Sequence, residues 1–253
     1  MDAFQKLSNI LKSRGTYLCV GLDSEFAKLP VNLRKNPHGI FEFNKRIIDA
    51  TSDLAAAYKI NFAFYEEFGS AGFDILSKTI EYIPHDIFTI GDAKRGDIGN
   101  TSRLYAKAVF EYFRLDSITV SPYMGYDSIG PFLDYKDKMV FVLALTSNNG
   151  SGDFQRLESE GKPLFIHVIE KSLGWAEGRN IGFVAGATHP QDIALIRQYA
   201  AAQPLLIPGV GAQGGDAEAI LEAIKGTPAL INVSRDIIRS EERRVGKECR
   251  SRW

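Results

Sequence analysis

Residues 91–101 read GDAKRGDIGNT and hold the carboxylates of Asp92 and Asp97 and the ammonium of Lys94 within six positions. The apolar run IFTI at 87–90 leads directly into this stretch. Charged groups cost free energy to bury unless they are paired, so the stretch is either a solvated turn or a built reaction site. Period two along a strand places Asp92 and Lys94 on the same side. There, the opposite charges would keep each other ionised and act on charge developing in a substrate, and the lysine could donate a proton.

Short apolar or β-branched runs predict the strands that must position these charges. Eight are found, at 16–22, 56–61, 87–93, 117–121, 139–145, 181–187, 205–210 and 229–234, separated by stretches with apolar residues at helical spacing. Near-continuous apolar strands that alternate with helices indicate a parallel sheet buried on both faces. The strand count and the glycines after the seventh strand favour a (β/α)8 TIM barrel in one domain, residues 1–240, over a doubly wound open sheet.

The carboxyl ends of barrel strands meet around one mouth, which gathers residues from distant parts of the chain. Asp23 follows the first strand in VGLDS, and Lys59 lies in the second strand in AYKIN. Any one of these charges alone would be interpreted as a solvated loop residue. Charges at the ends of three adjacent strands, with the GDAKRGD stretch on the third, predict a reaction site instead.

The loop PGVGAQGGD at 208–216 predicts a phosphate site. Glycines allow close backbone approach to a ligand, and the following helix would point its N-terminus at this loop and favour an anion. Arg235, after the eighth strand in NVSRD, could clamp the same phosphate. An ordinary glycine-rich turn is the alternative. The dinucleotide-binding motif is excluded because the glycines do not follow the first strand.

Composition and residue spacing argue against several other classes of function. The chain has 253 residues, 45% of them hydrophobic, with 30 Lys and Arg against 31 Asp and Glu, so its net charge of -1 gives no electrostatic footprint for nucleic acid or an anionic membrane. Its two cysteines and four histidines have neither disulfide-framework nor metal-ligand spacing. No signal-peptide core and no run of about 20 apolar residues occurs, which favours a cytoplasmic protein without a membrane span.

Three segments carry further expectations. Residues 241–253, EERRVGKECRSRW, are basic and offer almost no apolar face, so we interpret them as a probable non-native tail in place of most of the eighth helix. The stretch PYMGYDSIGPF at 122–132 predicts a loop and a short helix at the mouth, with Tyr123 and Tyr126 as packing residues. In LTSNNGSG, after the fifth strand, Ser147 and Asn148 are either ligands of a flat polar group or part of a polar turn.

GDAKRGDIGNT resembles the DxKxxDIxxT signature of the orotidine 5'-monophosphate decarboxylase family. VGLDS, AYKIN, LTSNNGSG, PGVGAQGGD and NVSRD also occur in the order and spacing of that family, in the manner of its bacterial subgroup with longer loops. The resemblance covers about residues 10–240. It implies cofactor-independent decarboxylation of orotidine 5'-monophosphate to uridine 5'-monophosphate, the last step of de novo pyrimidine nucleotide synthesis.

The resemblance also implies a role for each matching residue. Lys94 would protonate C6 of the pyrimidine as carbon dioxide leaves, with Asp92 facing the substrate carboxylate. Asp23 and Lys59 would bind the ribose hydroxyls, and Lys59 would join the charged row. Asp97 would be a further catalytic residue, and it would reach the site with Ile98 and Thr101 from the second subunit of a homodimer. The remaining expected ligands are Ser147 at the pyrimidine edge, and Pro208, Gly211, Gln213 and Arg235 around the phosphate. The family uses no metal and no organic cofactor.

Two other functions compete with this one. A sugar-phosphate decarboxylase of the same superfamily shares the Asp-x-Lys-x-x-Asp strand but needs magnesium, and Ile98, Thr101 and the Ser147 stretch favour the nucleotide substrate over it. A non-catalytic barrel that binds a phosphorylated ligand would keep the glycine-rich loop and Arg235. Such a protein would have no reason to keep Lys94 between two carboxylates.

Overall fold

A computed structural model describes residues 1–177, 180–186, 189–209 and 217–239. Its central feature is a closed barrel of eight parallel strands, which confirms the predicted (β/α)8 fold. The strands are β1 (Leu18–Gly21), β2 (Ala57–Asn61), β3 (Phe88–Arg95), β4 (Ser117–Val120), β5 (Met139–Leu145), β6 (Ile181–Ala185), β7 (Leu205–Pro208) and β8 (Ala229–Val233). Each strand pairs with the next one along the chain, and β8 closes the barrel against β1, where Leu18 is opposite Ile231.

Helices cover the outside of the barrel. They are α1 (Ala3–Arg14), α2 (Gly39–Thr51), α3 (Ala63–Glu66), α4 (Gly69–Tyr82), α5 (Gly99–Lys107), α6 (Tyr126–Leu133), α7 (Ser151–Phe154), α8 (Leu164–Trp175), α9 (Pro190–Tyr199), α10 (Ala217–Ile224) and α11 (Arg235–Ile238). A π-helical turn, Ala108–Tyr112, continues α5, and two 3-10 turns, Phe26–Lys28 and Val31–Leu33, precede α2. None of the described helices is long and apolar enough to cross a membrane.

The sequence pattern located all eight strands but missed a small hairpin. Glu158–Ser159 pairs antiparallel with Lys162–Pro163 in the long connection between β5 and α8. Strands this short and exposed carry no periodic apolar signal. The predicted tail at 241–253 lies outside the described residues, so its assignment as non-native stays a prediction.

Alternation along the strands fills the barrel interior in layers. Inward positions near the amino ends are apolar, and they form one buried cluster that includes Cys19, Ala57, Phe88, Ile90 and Leu230. Two residues further along, the same inward faces of β2, β3 and β8 carry Lys59, Asp92 and Asn232, all buried. Because side chains repeat every two residues, the strands that build an apolar base also carry polar groups to the mouth.

Helix α1 closes the amino-terminal end of the barrel. Ala3, Leu7 and Ile10 recur at helical spacing and join the interior cluster, and Leu7 is fully buried. Asp2 caps the helix by accepting the Gln5 backbone N–H at 2.8 Å. The apolar interior is therefore a packed core and not a pore.

We expect Leu7→Ala to lower the free energy of unfolding by about 2–5 kcal/mol, because it leaves a cavity in the interior cluster. Phe4→Ala on the exposed side of the same helix is the control and should cost about 1 kcal/mol or less. Urea unfolding of both variants measures the difference. Equal losses would show that α1 does not plug the barrel.

Candidate active site

Four side chains of alternating charge form a continuous row at the mouth of the barrel. The Lys59 ammonium donates to Asp23 Oδ1 at 3.1 Å and to Asp92 Oδ2 at 2.8 Å. The Lys94 ammonium donates to Asp92 Oδ1 at 2.6 Å. The ends of β1, β2 and β3 thus bring together the residues that the sequence analysis predicted, in the order Asp23, Lys59, Asp92 and Lys94.

Burial decreases along the row from its centre to its ends. The Lys59 and Asp92 side chains are only 6% and 10% exposed, whereas Lys94 is 50% exposed. Burial alone would lower the pKa of Lys59, but the carboxylates of Asp92 and Asp23 outweigh it and raise that pKa above its usual value. Burial acts to raise the pKa of Asp92, but the ammoniums of Lys59 and Lys94 reverse the effect and hold it well below its usual range. The centre of the row therefore stays charged at neutral pH.

The backbone of β3 is irregular where it delivers Lys94. Gly91 lies opposite Ile118 of β4 and Arg95 lies opposite Val120, so three residues of β3 face Thr119 alone. Lys94 adopts a left-handed conformation with φ +47°, which is uncommon for a residue with a side chain. Asp92 and Lys94 do meet, as period two predicted, but across a bulge that turns the lysine back toward the carboxylate.

A buried hydrogen-bond network supports the other end of the row. The Ser24 hydroxyl donates to Asn44 Oδ1 at 2.6 Å, and the Asn44 amide donates to Tyr65 and to Thr79. The Tyr65 hydroxyl in turn donates to the carbonyl of Leu22 at 3.2 Å. The residues on both sides of Asp23 are thereby fixed to α3 and α2, and through Asn44 and Thr79 to α4.

A second group of residues lies beside the row, at the ends of β7 and β8, because β8 pairs with β1. A cavity of about 190 Å³ is lined by Asp23, Lys59, Asn61, Asp92, Pro208, Gly209, Asn232, Ser234, Arg235 and Asp236. Arg235 is the first residue of α11, and within the described part of the chain its guanidinium makes no hydrogen bond or ion pair. Pro208 and Arg235 therefore lie where a phosphate site was predicted. The other two predicted phosphate ligands, Gly211 and Gln213, lie outside the described residues.

Asp97, Ile98, Thr101 and Ser147 are not among the cavity-lining residues of their own chain. The Asp97 carboxylate accepts the Ile98 backbone N–H at 2.8 Å, and Ile98 and Thr101 are exposed at the start of α5. Ser147 is half-buried beyond the end of β5. These positions leave the predicted roles of the four residues as predictions.

Some polar residues that line the cavity were not predicted from the sequence. Asn232 lies in the cavity wall and accepts a weak contact from the Cys19 thiol at 3.6 Å. Ser234 donates to the carbonyl of Gly21 at 3.2 Å, and a Cβ on Gly21 would lie 2.8 Å from the Ser234 Cβ. The run ALINVS did hold a signal for these residues, because it places a polar residue at an inward position of an otherwise apolar strand.

Tyr123 is also placed differently from the expectation. It was predicted to pack at the mouth, but its side chain is 89% exposed in the single chain. Tyr126 does pack, with its ring edge-on to Trp175 at 6.0 Å, and it begins the predicted short helix. Tyr123 sits in the turn before Gly125, where no neighbour among the described residues covers its side chain.

Cavity size alone does not identify the site. A larger cavity of about 460 Å³ lies at the opposite end of the barrel, beside the loops that lead into β3 and β4. Its innermost charges already neutralise each other, because Lys6 contacts Asp116 at 2.7 Å. Within the described residues, no group of three or more His, Cys, Asp or Glu side chains could hold a metal ion. The mouth is thus the better candidate, since it combines buried paired charges with an unpaired cation.

Comparisons with known proteins show which family this chain is similar to. The sequence pattern of the "Orotidine 5'-phosphate decarboxylase / HUMPS family" matches residues 16–248. The chain is 50% identical over 236 residues to an orotidine 5'-phosphate decarboxylase of Herpetosiphon aurantiacus, covering 92% of this chain and 88% of the relative. It resembles the solved structure of Leishmania donovani OMP decarboxylase with a TM-score of 0.86 at 41% identity, covering 94% of this chain and 92% of that one.

A further similar structure is that of a longer protein. The Leishmania donovani UMP synthase structure has a TM-score of 0.87 at 43% identity, and the match covers 94% of this chain but 52% of that chain. The family pattern spans most of the described barrel, including every residue of the charged row. The chain therefore belongs to the orotidine 5'-phosphate decarboxylase / HUMPS family.

Proposed function

We propose that the chain catalyses decarboxylation of orotidine 5'-monophosphate to uridine 5'-monophosphate in the cytoplasm, without a metal or organic cofactor. The observation that carries this proposal is the row of paired charges at the mouth, which ends in an accessible ammonium beside a buried carboxylate. The names of relatives at 45–50% identity support the choice of substrate.

Lys94 is the proton donor in this proposal. The bond between C6 and the substrate carboxylate breaks, carbon dioxide leaves, and the electron pair stays on C6. The Lys94 ammonium stabilises the developing negative charge and then transfers its proton to C6. Its half-exposed side chain can regain a proton from solvent before the next turnover. Asp92 holds the ammonium in place at 2.6 Å and faces the departing carboxylate.

The remaining residues bind the parts of the nucleotide that do not react. Asp23 and Lys59, joined at 3.1 Å, take the ribose hydroxyls, and Ser147 takes the pyrimidine edge. Arg235 takes the phosphate with Pro208, which lines the same cavity, and with Gly211 and Gln213. Binding energy at the phosphate then helps position the pyrimidine at Lys94, as remote binding energy can.

The proposal includes a homodimer in which Asp97, Ile98 and Thr101 complete the site of the other subunit. Exposed apolar side chains at the start of α5, on α5, in the turn before α6 and at the start of α6 support this: Ile98, Leu104, Tyr105, Tyr123, Met124 and Tyr126. Exposed apolar side chains on neighbouring elements, such as α5 and α6, are typical of an interface. This surface lies beside the mouth, because α5 follows directly from the β3 bulge.

We expect Lys94→Ala to lower turnover of orotidine 5'-monophosphate by at least about 1,000-fold, because proton donor and electrostatic stabiliser are lost together. The loss of absorbance of the orotate ring, followed with a chelator present, measures turnover and also tests the magnesium-dependent alternative. Titration with uridine 5'-monophosphate should show that the variant still binds nucleotide. Lys78→Ala, on the exposed face of α4, is the control. Turnover by Lys94→Ala near the wild-type rate would exclude the proposed mechanism.

Arg235→Gln should lower kcat/KM about 10- to 100-fold, mostly through KM, because a charge-assisted phosphate contact is lost. Orotidine, which lacks the phosphate, should react equally slowly with the variant and the wild type. Arg239→Gln is the control, since Arg239 is four residues away and is paired with Glu25 at 2.9 Å. An equal loss with both substrates would mean that Arg235 supports the fold and does not bind phosphate.

Mixing two inactive variants tests whether sites are shared. If Asp97 acts in the site of the other subunit, a dimer of Lys94→Ala with Asp97→Ala chains has one intact site. After subunit exchange at equal concentrations, about one quarter of wild-type activity should return, from the statistics of a two-fold dimer. If Asp97 acts within its own chain, both sites of the mixed dimer are defective and no activity returns.

A further inference from the structure

Thr119 on β4 contacts two residues of the charged row, Lys94 and Asp92. Its hydroxyl accepts the backbone N–H of Lys94 at 3.0 Å and lies 3.1 Å from Asp92 Oδ1. The side chain is 1% exposed, so neither contact can be replaced by bulk solvent. Sequence patterns did not single this residue out, and none of the roles proposed above uses it.

The direction of these two hydrogen bonds is fixed by chemistry. A hydroxyl has one proton, and a backbone N–H can only donate. The Thr119 oxygen must therefore accept from Lys94, which leaves its proton for the Asp92 carboxylate. One hydroxyl thus joins the backbone of the lysine to the carboxylate that its own ammonium contacts at 2.6 Å.

The hydroxyl also satisfies the bulge in β3. Three residues of β3 lie opposite Thr119, so the regular ladder is interrupted there. An unpaired buried backbone N–H is costly, and the Thr119 side chain supplies the acceptor that the ladder does not supply to Lys94. The left-handed backbone of Lys94, at φ +47°, is a conformation that persists only where surrounding contacts fix it.

We infer that Thr119 is a positioning residue, which holds the Lys94 backbone and the Asp92 carboxylate in the relative placement that proton transfer to C6 requires. The inference rests on the proposed roles of Asp92 and Lys94. The hydroxyl acts through these two residues and does not contact the substrate itself.

Thr119→Val removes the hydroxyl and keeps the shape of the side chain. A displacement of about 1 Å at a reacting group can cost about 100-fold in rate, so kcat should fall by about that factor. KM should stay within about threefold, because the phosphate and ribose ligands lie on other strands. Thr119→Ser keeps the hydroxyl and should keep most of the turnover.

The chain contains a matched control at the other end of the barrel. The Thr89 hydroxyl donates to Asp116 Oδ2 at 2.9 Å and accepts the Asp116 backbone N–H at 3.0 Å. Thr89→Val therefore removes the same pair of bonds, from one buried threonine to a carboxylate and a backbone N–H, away from the mouth. It should lower the melting temperature as much as Thr119→Val does and leave kcat unchanged.

The measurements distinguish a positioning role of Thr119 from a purely structural one. A fall in kcat for Thr119→Val alone, with recovery in Thr119→Ser, supports the inference. Turnover of Thr119→Val near wild type, or equal falls in both valine variants, would overturn it. If Thr119→Val does not fold, Thr119→Ser and Thr119→Ala are compared by the same criterion, since they differ only by the hydroxyl. Lys94→Ala is assayed in parallel: if it stays active, the proposed mechanism fails, whereas an inactive Lys94→Ala beside a normal Thr119→Val rejects only the positioning role.

Discussion

The buried carboxylate of Asp92 is the group on which the arrangement of the mouth depends. A desolvated carboxylate must be paired, and it is paired twice, with Lys59 at 2.8 Å and Lys94 at 2.6 Å. Removing Lys59 would take the buried partner from Asp92 and leave the half-exposed Lys94 to compensate its charge. The positions of β2 and β3 are therefore tied to each other by electrostatics as well as by backbone hydrogen bonds, and Lys94 is held ready at the rim without being buried itself.

Much of this arrangement follows from simple periodicity. Alternation along a strand determines that Ile90 and Asp92 share the inward face of β3, and that Ala57 and Lys59 share that of β2. The parallel direction of the strands then gathers the polar members at one end. For this reason the fold and the four residues of the row could be predicted from residue types and spacing, before any contact between them was known.

The parts that could not be predicted depend on pairing between distant segments. The bulge at Lys94 arises from how β3 meets β4, and no local pattern in GDAKRGD indicates that three residues oppose Thr119. Asn232 was missed because its relevance comes from the closure of β8 against β1, more than 200 residues away, where Cys19 lies opposite it. Asp97 does not line the cavity of its own chain and Tyr123 is 89% exposed, so a single barrel does not explain either residue, and the role proposed for Asp97 depends on a second chain.

The filled amino-terminal end of the barrel limits the route that substrate and products can take. Side chains such as Phe88 and Phe141 fill the axis, and Leu7 of α1 seats beneath them. Among the described residues, passage along the axis is closed, so the substrate enters and both products leave through the mouth. Release of one product then bears on entry of the next substrate.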